Sequence, residues 1–532
     1  MNLKNTLEFA NKAIADNNYL KAKLLLENEI KDNPKVFELN FKLGLVNNLL
    51  GDFKKSINYY EKSILLDPNY SPAFCNLGII YDKLNNKNLA VKNYLEAIKK
   101  DPKNFKAYYN LGNCYLKNSD IENAEKNYYL SIDIRSDNIH PYINLFQIYD
   151  RSNNLKKLDI ILKKAQNIFH KNPIILFFEG ISEFRKNNFQ NAIKIFEKLE
   201  TDQIDISKNI VKNNTLAKCF DNLGMYDDAF KFFEKSNSLM QEMYKDKFEK
   251  KEYIKLVDER LNFFSQPNFK KWKPVSHINN YQDPVFLVGF PRSGTTLLDT
   301  ILRTHDSIKV FEEEPLVDKV IDKLHNYINK DFTKLDEIEE STIFELRSLY
   351  FENREKLLPT DKHKLYIDKL PLNIIFIGEI NKIFPNSKFI LALRNPYDSI
   401  LSCFMQPFVP NNAMSNFYNL EDAILIYDKI MQLWSFYEEK LDINTHIIKY
   451  EEVVNNFDLS ISALLKFLEI DWSDKLKEFY KTAEKRGIIN TPSYNQINQP
   501  LYQKSIDRWK NYKKYFSGLE PSLIKWNSKF NY

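Results

Sequence analysis

Cysteine is scarce in this 532-residue chain: Cys75, Cys114, Cys219 and Cys403 are the four in all, far apart and never in a C-x-x-C pair. That spacing argues against a dense disulfide framework or a cysteine metal site and suits small buried residues. An excess of charge of one sign is lacking too. With 76 Lys and Arg against 71 Asp and Glu the net charge is only +5, so bulk electrostatics does not point to nucleic acid. No apolar run reaches the ~18 residues of a membrane-spanning helix, and the first residues, MNLKNTLE, already follow a helical pattern. A soluble, cytoplasmic protein without a membrane span is expected. Glycine is rare, eleven in all, beside abundant Lys, Asn and Ile, a bias of genome composition rather than chemistry. The length predicts more than one domain at roughly 100–200 residues each.

What is there begins with a repeat. Leu43-Gly44, Leu77-Gly78 and Leu111-Gly112 recur every 34 residues, and the same step reaches Leu145-Phe146 and Gly180. A period of 34 with helical apolar spacing is the signature of tetratricopeptide repeats. The rest of the pattern travels with it: Tyr81, Ala90, Tyr94, Ala97 and Pro102 in one unit, Tyr115, Ala124, Tyr128 and Ser131 in the next. Six or seven repeats are expected over residues 3–240, the last, around Ala217–Ser238, slightly out of register. Such an α-solenoid presents a concave surface that holds a polypeptide or protein partner, the alternative being a bare scaffold or dimer surface. Residues 241–280 read as a helical linker, with a long polar helix over Lys245–Gln266 and Trp272 and Pro274 docking the linker on a domain over 281–532.

That domain opens with residues 285–304, VFLVGFPRSGTTLLDTILRT, a buried strand, a turn and a helix started by two threonines. The turn's backbone N–H groups and the helix N-terminus converge on one anion site. Gly289 and Gly294 are spaced as in a nucleotide P-loop, yet Thr295 stands where the lysine of an ordinary ATP loop belongs, and Arg292 can supply the missing charge. Beyond it, residues 364–368, 388–393 and 445–450 read as buried strands separated by helices over 372–384 and 420–441, which predicts an α/β domain with a central parallel sheet. Ligands of such sheets sit at the carboxyl ends of strands, where Arg394 lies, with Ser402 eight residues on in the following helix.

The stretch Pro291-Arg292-Ser293-Gly294-Thr295-Thr296 resembles the loop with which sulfotransferases bind the 5′-phosphosulfate of 3′-phosphoadenosine 5′-phosphosulfate. In that family an Arg and a Ser eight residues apart hold the 3′-phosphate, and Arg394 and Ser402 match them. Residues 304–315, THDSIKVFEEEP, resemble the tyrosylprotein sulfotransferases, whose second Glu of a pair acts as base; the match falls on Glu313, between Glu312 and Glu314. Asp368-Lys369-Leu370-Pro371 supplies Lys369 for the leaving phosphate oxygen. Near the C-terminus Ser493, Tyr502 and Arg508 match the segment that closes over the nucleotide, while His305, His363 and His446, the candidates for the histidine base of other sulfotransferases, all stand outside the family's histidine motif, and His305 reads as structural. The resemblance implies a P-loop-like, metal-independent transfer of a sulfuryl group to an acceptor hydroxyl, with polypeptide tyrosine favoured and a carbohydrate or small molecule the alternative. The acceptor pocket is expected in variable loops such as 404–419. The chain as a whole resembles bacterial proteins that join these two modules.

Overall fold

The computed structural model describes residues 3–267, 269, 272, 282–359, 361, 364–485 and 505–532. They form two compact units, Met1–Asn187 and Asn188–Tyr532.

The first unit is a run of helix pairs whose 34-residue period reaches down to single torsion angles. Asn17, Asn85, Ser119, Asn153 and Asn187 lie 34 residues or a multiple apart and all adopt a left-handed φ of 52–62°; Gly51 fills the gap in the series at φ 81°. In chain order, the first five of these six turn residues are each followed by a helix cap. Asn18, Asp52, Asn86, Asp120 and Asn154 each accept, at 3.1–3.2 Å, the backbone N–H three residues on. The left-handed residue ends one helix and the cap starts the next, so every hairpin turns the same way. Packing repeats with it. A Cβ on Gly44, Gly78 or Gly112 would stand 2.7 Å from the ring of Tyr60, Tyr94 or Tyr128, sixteen residues on. Only glycine lets that ring lie flat on the facing helix. One period later the pair is Phe146 and Leu162, both buried, the bulk moved from one helix to the other.

The second unit is built on a five-stranded parallel sheet in the order β2-β3-β1-β4-β5. The strands are β1 (Val285–Gly289), β2 (Ile308–Glu312), β3 (Leu365–Lys369), β4 (Lys388–Leu393) and β5 (Asn444–Lys449). Alternation puts Phe286, Val288, Phe389 and Leu391 into one core and Val285, Leu287, Ile390 and Ala392 into another, so helices cover both faces as the α/β expectation required. Pro371 opens a 3-10 turn to Phe376 before the short helix Ile377–Ile383, where one longer helix was expected. Tyr450 opens the helix Tyr450–Asn455 instead of ending β5.

The expected boundary near residue 240 differs from the division found after Asn187. The hairpin of helices Ile206–Asn222 and Tyr226–Tyr244 keeps a repeat-like look, but Ala217, Phe230 and Phe233 are buried in the larger core beside the sheet. Asn214 and Asn237 donate to the carbonyls of Met405 and Phe404, both at 2.9 Å, satisfying the C-terminal end of the helix Pro396–Phe404. Part of the segment read as a linker packs into the same core. Helix Lys250–Phe264 buries Tyr253, Val257, Arg260 and Phe264 along one stripe. Its arginine is fully buried, paired with Glu379 at 2.5 Å, which explains why the stripe reads as polar in sequence. Trp272 packs on Phe264, ring centroids 5.9 Å apart. Pro274 lies outside the described residues. Among the described residues no helix is long and apolar enough to cross a membrane.

Candidate active site

The carboxyl edge of the sheet gathers most of the residues singled out by sequence. β1 ends at Gly289, where a Cβ would stand 2.6 Å from the Ala392 carbonyl oxygen of the adjacent β4 and 2.7 Å from Ser293 Oγ. The turn then closes tightly. The Ser293 N–H donates to the Phe290 carbonyl at 3.1 Å, Arg292 takes a left-handed φ of 68° and Gly294 one of 97°. A non-glycine residue held in that region costs about 1 kcal/mol or more and persists where its surroundings fix it. Cys403 donates its thiol to the Pro291 carbonyl, and Arg292 Nε donates to Ser402 Oγ at 3.0 Å. Helix Thr295–Arg303 follows, and its first N–H groups have no intrahelical acceptor.

Arg394 lies just past β4. Its Nη1 donates to the Arg292 carbonyl at 3.3 Å, and its guanidinium lies 5.0 Å from the centre of the Tyr450 ring. The same tyrosine backs the turn: a Cβ on Gly294 would come within 3.0 Å of it. Tyr450 was not singled out from the sequence, although its place one residue past a strand of the sheet was the available signal.

Lys369, the last residue of β3, is fully buried, its Nζ 2.8 Å from Glu313 Oε1 and 3.6 Å from Glu312 Oε1. Register explains the meeting. Glu312 pairs with Lys369 across β2 and β3, and the Glu313 N–H donates to the Lys369 carbonyl at 2.8 Å. Glu313 is a second non-glycine residue with left-handed backbone, φ 55°, and its side chain remains 43% exposed. Lys369 stands opposite Leu287 of β1, which puts its backbone about 8 Å from Gly289 at ordinary strand spacing.

The structure thus brings Pro291 to Thr296, Arg394 and Ser402 together at one turn, with Lys369 on the neighbouring β3 and Glu313 just past β2, one strand further. Arg508 is in an ion pair with Asp221, 2.7 Å. Ser493, Tyr502 and His363 lie outside the described residues. His305 accepts the Ser307 N–H at Nδ1 and meets the Asp471 carbonyl at Nε2, both ring nitrogens engaged in shaping a turn. His446, half-buried and stacked on Phe467, has its pKa lowered by burial.

An anionic group fits the turn on the structure's own terms. Ser293 Oγ is buried there without a hydrogen-bond partner among the described residues, next to N–H groups at a helix start and one residue after Arg292, whose carbonyl Arg394 holds.

Residues 284–474 match the sequence model of the Sulfotransferase family, and residues 37–70, 59–92 and 93–126 match Tetratricopeptide repeat models. An uncharacterized protein of Aquifex aeolicus (strain VF5) is 28% identical over 55% of this chain and 38% of its own length. Protein-tyrosine sulfotransferase 2 of Gallus gallus is 24% identical over 42% of this chain and 62% of its own. For Protein-tyrosine sulfotransferase 1 of Homo sapiens the values are 22%, 42% and 62%. The chain therefore spans less than two thirds of each of these relatives. It joins tetratricopeptide repeats to a domain of the sulfotransferase family.

Proposed function

We propose that the second unit is a metal-independent sulfotransferase that takes 3′-phosphoadenosine 5′-phosphosulfate as donor and a polypeptide tyrosine as acceptor, with the repeat array recruiting the polypeptide. The observation that carries this reading is the Lys369–Glu313 pair, 2.8 Å apart, one strand away from the Pro291–Thr296 turn. When bound, the donor supplies a sulfuryl group, whose bond to the bridging phosphate oxygen breaks as a bond to the acceptor oxygen forms.

The chain's own residues position and neutralise. The turn's N–H groups, Ser293, Thr295 and Thr296 donate to the 5′-phosphosulfate, with Arg292 balancing its charge. Arg394 and Ser402 hold the 3′-phosphate. Lys369 puts a buried positive charge where negative charge develops, and three cationic side chains at one edge replace what a metal ion does in phosphoryl transfer. Glu313, ion-paired and half-exposed, takes the acceptor's hydroxyl proton. The tyrosine acceptor rests on the likeness of residues 304–315 and 368–371 to the tyrosylprotein enzymes.

The test is to incubate the protein with donor labelled in the sulfuryl group and a cell extract. Label should enter protein as tyrosine sulfate, and Glu313→Gln should cut its rate on the order of a hundredfold with nucleotide affinity nearly unchanged. Label confined to glycans or small molecules would reject the tyrosine acceptor. A fully active Glu313→Gln would reject Glu313 as base.

A further inference from the structure

The segment from Ser505 to Phe516 is strapped between two parts of the second unit. At its start Arg394 donates through Nη2 to the Ser505 carbonyl. The buried Asp398 carboxylate then accepts the backbone N–H groups of Asp507 at 2.8 Å and Trp509 at 2.9 Å, and Trp509 stacks on Tyr397 with centroids 4.3 Å apart. Asp507 takes a left-handed φ of 60°, so the chain turns sharply just ahead of Arg508. Arg508 reaches Asp221, Nη2 to Oδ2 2.7 Å, while the Tyr512 hydroxyl donates to Oδ1 of the same carboxylate at 2.5 Å. Tyr515 continues the contact by stacking on Phe230, centroids 3.6 Å apart.

Asp221 is in an odd place for a helix. It is the penultimate residue of Ile206–Asn222, where the macrodipole already concentrates negative charge, so the helix gains nothing from a carboxylate there. Its compensation comes from the strap, through Arg508 and Tyr512. Ser505 and Arg508 are three residues apart, hence no more than roughly 11 Å apart along the chain. A carboxylate from the repeat-like hairpin thus anchors an arginine beside the residue that Arg394 holds.

We propose that Asp221 is a positioning residue for the donor site: it fixes Arg508, and with it the strap, against Arg394. The inference rests on the reading of Arg394 as the arginine of the donor's 3′-phosphate. A guanidinium carries five N–H groups, so Arg508 can bind Asp221 and still offer donors to a phosphate. The hairpin 206–244 then serves the transferase, despite its resemblance to the array.

The test is titration calorimetry on the full chain with adenosine 3′,5′-bisphosphate and with adenosine 5′-monophosphate. Wild type should prefer the bisphosphate. Asp221→Asn keeps the shape but removes the charge, so it should weaken bisphosphate binding about tenfold and monophosphate binding much less, as expected for losing one charge-assisted contact. Asp221→Glu should restore most of the preference. An unchanged preference in Asp221→Asn overturns the proposal, even with a lowered melting temperature, because a merely structural role would affect both ligands alike. If Asp221→Asn does not fold, Tyr512→Phe, which deletes only the hydroxyl on Oδ1, must shift the preference in the same direction, and no shift overturns the proposal equally. A wild-type protein with no preference for the bisphosphate refutes the reading of Arg394 itself, whereas a wild-type preference that survives in Asp221→Asn refutes Asp221 alone.

Discussion

Asp368 precedes Lys369 in β3 and, by strand alternation, faces the opposite side of the sheet, between Phe286 and Phe311. Burial, with the negative charges of Asp318 and Glu314 adding to it, pushes its carboxyl up to about 7, although Tyr350 donates a hydrogen bond that favours the ionised form. A carboxyl in an unfolded chain titrates near 4. The folded state therefore holds this proton more tightly than the unfolded state. Its contribution to stability is complete below about pH 4 and is lost as pH rises through about 7, a total on the order of 4 kcal/mol. We predict that Asp368→Asn, neutral at every pH, gains stability over wild type at pH 8, that the gain shrinks to roughly a third by pH 5 and that it disappears below about pH 4, read from denaturant midpoints. A difference that does not change with pH would show that Asp368 is ionised in the fold. Nothing in the sequence around 368 signals such a group, because the burial comes from Tyr350 and helices distant in the chain. Arg292, Gly294 and Arg394 were legible for the opposite reason: their chemistry sits in one turn and one strand end. Tyr450, Asp398 and Asp221 act through partners 56 to 291 residues away, and no local pattern announces them.

At the level of elements, the array is the part most readable in advance, since one geometry is written again every 34 residues. Its glycines were visible as a spacing, but their cause is the tyrosine ring lying 2.7 Å from each missing Cβ. We predict that Gly78→Ala costs the first unit roughly 1–3 kcal/mol through overpacking against Tyr94. Adding Tyr94→Leu should restore part of that loss, following the exchange already present at Phe146 and Leu162. Chemical denaturation of residues 1–187 reads both effects, and an unaltered midpoint in Gly78→Ala would contradict the packing account. Helix Lys250–Phe264 shows where periodicity misleads. Arg260 interrupts its apolar stripe, yet is buried with Glu379 and packed 4.7 Å over the Phe376 ring, so a core helix reads as a polar one.

Over the whole molecule, the last hairpin decides where the chain divides. Repeat-like spacing continues past Asn187, and a sequence reading follows it to about residue 240. The division falls earlier because Ala217, Phe230, Phe233, Val257 and Phe264 are buried against the sheet domain. A fragment starting near residue 281 would expose that core and lose Asp221. Residues 188–532 keep both. The central claim, that the turn after β1 and Arg394 form a nucleotide donor site, is tested most directly by calorimetric titration of this fragment with adenosine 3′,5′-bisphosphate in the presence of EDTA. The account predicts saturable one-to-one binding that Arg394→Ala weakens by about tenfold or more, the value of one or two charge-assisted contacts to phosphate. Absence of binding by the folded fragment, or equal affinity in Arg394→Ala, would contradict it.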